Sequence, residues 1–327
     1  MIYKSIRPVI ALVVAAAMLL GMCPMAAAAG VAPVNFSGDL TGTQAAAFER
    51  LLVTWGFQPF AADGRWTDRD AYALALFQRW AKLTPTGKTD SATRSVLSKT
   101  WRTYGRAAIP RQRLPLEGRA IGVNAGHQST KDKTMEPVSP DPGSPKQLSV
   151  SVGTYGRWTY VPEYKLTLIV ALQLRDALKA KGAYVFMVRT TNDVRIGNAK
   201  RCIMMNDAGV DLAIVIHADG NDKPTLHGLH VLQPASRGYQ RGTVLTNSQR
   251  FAKVMLEKEI AATGAKNLGL STRRDLLSFN WCKMPVCLVE MGYMTNKAED
   301  NLLNTAAYQR KLVSGMVAGI QAYYSKS

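Results

Sequence analysis

Two kinds of hydrophobic pattern divide the chain. Up to about residue 100, apolar positions recur at helical spacing. From Arg119 onward, short apolar runs alternate with helical stretches. In Gln44 to Trp55, the apolar residues Ala47, Leu51 and Val53 and a Gly56 stop predict a first helix. In Thr67 to Lys82, Leu74, Phe77 and Ala81 recur at the same spacing, with Leu76 and Trp80 beside them. Thr67 is suited to cap that helix, with Asp70 three residues on in the place where a capping box prefers Glu. Thr84-Pro85-Thr86-Gly87 turns the chain, and Asp90 caps a last short helix through Leu97.

The second pattern is longer. A strand is predicted at Ile121 to Asn124, followed by a polar stretch with Pro137, Pro140, Pro142 and Pro145. Then come helix Glu163 to Lys181, strand Tyr184 to Val188, helix Arg195 to Ala208 and strand Leu212 to His217. A strand near Leu229 to Leu232, helix Asn247 to Thr263, strand Pro285 to Val289 and helix Thr305 to Tyr324 complete the series. Such alternation predicts an α/β fold, a twisted and largely parallel sheet flanked by helices. A small all-α domain of three helices precedes it. No internal repeat is visible.

The ends of this plan are set by other signals. Lys4 and Arg7 precede an apolar run from Val9 to Met22, and Ala26 to Ala29 offer small-residue cleavage sites. Residues 1–29 therefore read as a secretory signal peptide; the run is short for a membrane span, and a retained anchor is the competing reading. Cys23 is a poor lipoprotein site because bulky Met22 precedes it. Residues 36–99 form the helical domain and 119–327 the α/β domain. Between them, 100–118 hold Pro110 and Pro115 among Arg102, Arg106, Arg111 and Arg113, without periodicity, and read as a basic linker. The apolar share of 47% and charged share of 20% are those of a soluble globular protein.

A formal net charge of +18 draws the chain to anionic surfaces. Export argues against nucleic acid and for anionic wall polymers; general solubility explains the charge equally well. Cys202, Cys282 and Cys287 remain after signal cleavage. Three thiols allow one disulfide at most, lack zinc-finger spacing, and read best as buried free thiols.

Four residues carry candidate chemistry. His127 follows the run Ala120 to Gly126, His217 ends Leu212 to Ile216, Glu290 ends Val286 to Val289, and Glu163 opens a long amphipathic helix. In open α/β sheets, sites form beyond the carboxyl ends of the strands. Glu163 would enter the same crevice from a helix start, where its charge suits the macrodipole. Two imidazoles and one carboxylate suffice to hold zinc with a fourth position open for water, and a further carboxylate can move protons. No local motif such as His-Glu-x-x-His is present, so on spacing alone two His and two Glu can also be incidental. His227 and His230 stand three residues apart, on opposite strand faces, and read as structural or exposed. Asp219 and Asp222 read as loop formers, Arg273 and Arg274 as a solvated basic pair.

The surrounding residues carry a resemblance. Ile121-Gly122-Val123-Asn124-Ala125-Gly126-His127 is similar to the first metal-ligand strand of the zinc-dependent type 3 N-acetylmuramoyl-L-alanine amidases. Val161-Pro162-Glu163-Tyr164-Lys165-Leu166 resembles the segment of the second ligand, and Leu212 to Gly220 that of the third. Leu288-Val289-Glu290-Met291-Gly292-Tyr293-Met294-Thr295-Asn296 resembles the segment of the catalytic glutamate, and Asn192-Asp193-Val194 with the helix to Asp207 also fits. Two departures stand out. Asn124-Ala125 replace the usual Asp-Pro, and Gln128 to Pro162 is longer and richer in Pro than in the shortest members; it reads as a substrate-side loop. The helical domain resembles the three-helix peptidoglycan-binding domain, through Ala62-Asp63-Gly64-Arg65-Trp66-Thr67, Ala75-Leu76-Phe77-Gln78-Arg79 and Leu83-Thr84-Pro85-Thr86-Gly87. Thr67 replaces a Gly usual in that family.

The resemblance implies a Zn2+ ion on His127, Glu163 and His217, with Glu290 as the catalytic proton carrier. It implies cleavage of the amide between N-acetylmuramic acid and L-alanine of the peptidoglycan stem peptide. The expected protein is a secreted, monomeric cell-wall hydrolase whose partner is peptidoglycan, free of nucleic acid and of integral membrane association after signal cleavage. The alternatives are a decayed wall-binding protein, which would normally have lost one of the four residues, and a zinc endopeptidase of the stem peptide.

Overall fold

The computed structural model describes residues 32–325 apart from 39, 59 and 237–238; the expected signal peptide lies outside the described residues. The chain divides between residues 112 and 113 into two compact units.

The first unit holds helices α1 (Ala45–Thr54), α2 (Asp68–Trp80) and α3 (Ser91–Tyr104). Phe48, Leu52, Trp55, Phe57, Leu74, Phe77 and Leu97 are fully buried among them. Thr67 and Asp70 form the expected capping box, with Thr67 N–H donating to Asp70 Oδ2 at 2.7 Å. Asp90 caps α3 through Thr93 N–H at 2.8 Å. The expected helix end at Leu97 is too early. Leu97, Thr100 and Trp101 continue a buried stripe at helical spacing, and α3 runs on through the first residues of the expected linker. Arg102, exposed on the same helix, helps hide that stripe in the sequence.

The second unit is built on a six-stranded sheet. Its strands are β1 (Ala120–Ala125), β4 (Tyr184–Met187), β5 (Leu212–Asp219), β6 (Leu229–Pro234), β7 (Asn267–Arg273) and β8 (Val286–Tyr293), in the order β4-β1-β5-β8-β6-β7. The first four of that order run parallel; β6 is antiparallel to β8, and β7 is parallel to β6. Helices α4 (Glu163–Ala180), α6 (Gly242–Thr263) and α9 (Ala306–Ser325) pack on one face. Leu166, Leu174, Phe251, Met255, Leu312 and Met316 there join Ile121, Val123, Ile214, Ile216, Val231 and Val289 in one core. Helix α5 (Asn198–Asp207) covers the opposite face at Gly122, where a Cβ would fall 2.8 Å from Met205 Sδ. Short helices α7 (Leu277–Asn280) and α8 (Lys297–Leu303) complete the unit.

Three features depart from the expected plan. The stretch Gln128 to Pro162 is not a bare loop: β2 (Asp132–Pro137) and β3 (Lys146–Val150) pair as an antiparallel hairpin. Strand β7 was not anticipated, since Asn267 to Arg273 is mostly polar or exposed, as suits an edge. Strand β8 extends to Tyr293, four residues past the expected end. No described helix is long and apolar enough to cross a membrane.

Candidate metal centre

Three parallel strands deliver their carboxyl ends to one edge. β1 ends at Ala125, and Gly126 N–H donates to Ile216 O of β5 at 2.9 Å. The next residue, His127, takes a left-handed backbone conformation at φ 58° and turns its ring toward β5. His217 lies on β5 itself. Glu163 is the first residue of α4, and its own N–H donates to Thr154 O at 2.9 Å.

The three side chains meet. His217 Nδ1 is 2.8 Å from Glu163 Oε1, and His127 Nε2 is 3.2 Å from Glu163 Oε2. The two rings stand edge to face with centroids 4.7 Å apart. One donor atom from each residue lies within 4.8 Å of the others. Zinc bonds of about 2.0–2.2 Å in a tetrahedron need donors roughly 3.3–3.6 Å apart, so small side-chain shifts close the set. The second nitrogen of His127 is also held: Nδ1 lies 3.1 Å from Ser151 O, which accepts its proton and frees Nε2 to bind metal. Two glycines make room. A Cβ on Gly126 would fall 2.3 Å from His217 Cε1, and one on Gly153 2.4 Å from Glu163 Oε2. The donor set and its cradle fit a zinc ion.

The electrostatics agree. Burial alone would raise the Glu163 pKa, but hydrogen bonds and charge from His127 and His217 hold it well below the usual carboxylate range. Thr154 and Ala218 N–H groups add donors to its two oxygens, at 2.9 and 3.2 Å. Burial lowers the His217 pKa against the opposing pull of Glu163, which favours the neutral, ligating imidazole.

Glu290 sits beside this triad. It is the Cα partner of His217 across β5 and β8. Ile214, Ile216 and Val289 point to the core under α4, α6 and α9, so by strand alternation His217 and Glu290 share the other face. Glu290 Oε2 is buried and has no hydrogen-bond partner. Burial first, then the charges of Glu163 and Asp219, raise its pKa well above the carboxylate range, with Arg273 opposing.

The remaining candidates separate. His230 is the partner of Glu290 on β6 and lies 3.8 Å from Asp219 Oδ2, so it borders the site. His227 is exposed, with Nδ1 near Thr225 O, and takes no part. Arg273 is ion-paired with Asp275 at 2.7 Å. Cys202, Cys282 and Cys287 are free and buried.

Nothing in the sequence pattern singled out Arg189 and Arg201, which hold the His127 turn. Arg201, fully buried, donates to Asn124 Oδ1, Ala125 O, His127 O, Gln128 Oε1 and Ile196 O. Arg189 donates to Ala125 O, Gly126 O, Tyr164 O and Thr167 Oγ1. Burial lowers their pKa values to about 9 and about 10, so both stay charged at neutral pH. Asn124 Oδ1 accepts from the Arg201 guanidinium at 2.8 Å.

Comparison with known proteins agrees with this geometry. Residues 121–322 match the family described as N-acetylmuramoyl-L-alanine amidase. An N-acetylmuramoyl-L-alanine amidase of Mycobacterium tuberculosis is 29% identical over 219 residues, covering 64% of this chain and 87% of that protein. The amidase LytC of Bacillus subtilis is 27% identical over 205 residues, covering 63% of this chain and 39% of its own length. Among solved structures, the N-acetylmuramyl-L-alanine amidase Ami1 of Mycobacterium smegmatis superposes with a TM-score of 0.58 at 28% identity. That match covers 65% of this chain and 99% of the other. With the matched region spanning every strand of the sheet and all four site residues, the chain belongs to the type 3 family of N-acetylmuramoyl-L-alanine amidases.

Proposed function

We propose that this protein is a secreted, zinc-dependent amidase that cuts the bond between N-acetylmuramic acid and L-alanine of the peptidoglycan stem peptide. The observation that carries the reading is the meeting of His127, Glu163 and His217 with Glu290 in register beside them, inside the region that matches the amidase family. His127, Glu163 and His217 would hold the ion. Zinc bound there supplies a Lewis acid and brings the pKa of water from 15.7 to about 7.

The chain's own residues do the rest. Glu290 takes the proton of the attacking water on its carboxylate. As the carbon–nitrogen bond breaks, the same carboxyl hands that proton to the departing amine of L-alanine. Burial raises its pKa, which makes the carboxylate a stronger base. Arg201 and Arg189 keep His127 in its turn, and Ser151 fixes the ring's tautomer.

The first unit is proposed as the wall anchor, on its resemblance to three-helix peptidoglycan-binding domains and its independent core. The basic charge favours anionic wall polymers over nucleic acid in an exported, monomeric protein. Export itself rests on the signal-like residues 1–29.

Mass spectrometry of digested muropeptides tests the reading. Free lactyl groups on muramic acid with release of intact stem peptides support it. Cleavage between stem-peptide residues, or no cleavage by zinc-loaded protein, overturns it.

A further inference from the structure

Three of the nine most exposed large apolar side chains among the described residues fall within six consecutive positions: Tyr155, Trp158 and Tyr160. Their loop is not slack. Tyr155 pairs with Pro162 in an antiparallel bridge, Gly156 N–H donates to Val161 O at 2.9 Å, and Tyr160 N–H donates to Gly156 O at 2.9 Å. The fully buried carboxylate of Asp300 clamps the tip. It accepts from Trp158 N–H at 2.8 Å, Thr159 N–H at 2.9 Å and Thr159 Oγ1 at 2.6 Å. A Cβ on Gly156 would fall 2.1 Å from Asp300 Oδ1, so this approach needs glycine.

A rigid loop that shows three rings to solvent calls for a reason. Tyr160 is 77% exposed and sits at φ 56°, a conformation that L side chains rarely adopt. Neither folding nor solubility is served by an aromatic residue there. The loop is also wired to the metal centre, because Thr154 N–H donates to Glu163 Oε2 at 2.9 Å. Beside it lies a cavity of about 320 Å³ lined by Thr154, Tyr155, Arg157, Asn221, Asp222 and Thr295, with the backbone of Gly220.

The ring of Tyr155 beside the cavity's hydroxyl, amide, guanidinium and carboxylate groups, with the exposed rings of Trp158 and Tyr160 on the same loop, matches a pyranose ring. One face of such a sugar presents C–H groups to a ring, and its hydroxyl and acetamido groups need polar partners. We infer that this loop is a sugar shelf, on which Tyr155, Trp158 and Tyr160 stack the glycan strand next to the muramic acid being released. The inference rests on the proposed amidase reading, in which the substrate carries sugar on the acyl side of the cut bond and peptide on the amine side. The acyl-side sugar is the occupant; the stem peptide is the competing outcome.

The zinc-loaded mature chain is titrated with chitotetraose, a β-1,4-linked N-acetylglucosamine tetramer without peptide, and separately with free stem tripeptide. The indole resonance of Trp158, assigned through Trp158→Phe, should move with chitotetraose and stay with tripeptide. This residue-specific signal is separate from sugar binding by the helical unit. The double variant Trp158→Ala, Tyr160→Ala, whose side chains are exposed, should unfold at the wild-type temperature and raise KM for glycan-chain substrate about tenfold. A Trp158 signal that ignores chitotetraose, or answers only to tripeptide, overturns the shelf, as does an unchanged KM. Should the wild-type chain cut no muropeptide, the amidase reading fails, while the chitotetraose titration still decides the shelf.

Discussion

His217 and Glu290 are Cα partners on neighbouring parallel strands, so one backbone register places the proposed metal ligand and the proposed proton carrier side by side. Adjacent strands lie about 4.8 Å apart, which leaves the Glu290 carboxyl next to the triad yet outside the donor set. Glu290→Gln should therefore fold and keep its zinc. Its kcat should fall by about 10²-fold or more, the usual scale for a lost general acid–base. Metal analysis and steady-state kinetics on the same preparation check this; loss of zinc together with turnover would make Glu290 a ligand.

The triad itself predicts stoichiometry. The mature chain should bind about one equivalent of zinc with three protein ligands. His127→Ala, Glu163→Ala or His217→Ala should each lower metal content and turnover together. Chelation should abolish turnover in the wild type, and added zinc should restore it. Full zinc occupancy with normal turnover in His217→Ala would remove the assignment.

Arg201 is the support to test. Its guanidinium serves five acceptors around Asn124 to Gln128 and Ile196, and the residue is fully buried. Arg201→Met keeps most of the volume but orphans those acceptors. Stability should drop by about 3 kcal/mol or more, as urea denaturation would report. Zinc affinity should weaken roughly 10–100-fold, because the His127 turn loses its anchor. Unchanged stability and affinity would show that Arg189 alone suffices.

The positions of His127, Glu163, His217 and Glu290 at strand ends or a helix start are legible in the hydrophobic pattern, and their proposed roles as ligands and proton carrier come from the family resemblance. Periodicity places such residues even when they are far apart in sequence. Arg189 and Arg201 were not legible, since their role depends on backbone carbonyls of β1 that only the fold brings near. The hairpin β2–β3 was missed because its strands are mostly polar and bury only Ser149 and Val150, which weakens the alternation a strand usually shows. The end of α3 was missed because its apolar positions Leu97 and Trp101 are separated and followed by the polar Ser98, Lys99, Thr100 and Arg102.

Glu259 predicts a pH dependence unrelated to catalysis. It lies on α6, fully buried, with neither carboxyl oxygen hydrogen-bonded, and Gly315 of α9 leaves just enough room for it. Burial raises its pKa well above the ordinary value. The folded state therefore retains a proton that the unfolded chain has lost above about pH 4.3. Stability should fall as pH rises from there toward the folded value, by up to about 1.4 kcal/mol per pH unit. Glu259→Gln removes this loss while keeping the shape. The variant should gain melting temperature over the wild type as pH goes from 5 to 8. Parallel melting curves for the two proteins would mean that the carboxyl finds a partner or water.

The division between residues 112 and 113 predicts how the proposed anchor and the catalytic unit share the work. Each unit has its own buried core, and Leu116, fully buried, ties the start of the second unit to it through Leu116 N–H donating to Lys181 O at 2.9 Å. A chain starting at Arg113 should therefore fold alone and keep the full site. Tethering to an insoluble polymer raises the effective substrate concentration without touching the chemistry. The truncated chain should thus hydrolyse small soluble muropeptides as fast as the mature protein, and should bind and clear intact walls less well. Its basic residues would hold it on anionic walls at low salt, so the comparison belongs near 0.15 M ionic strength, where the Debye length is about 8 Å. Equal sedimentation of both chains with purified walls under that condition would reduce the three-helix unit to a spacer.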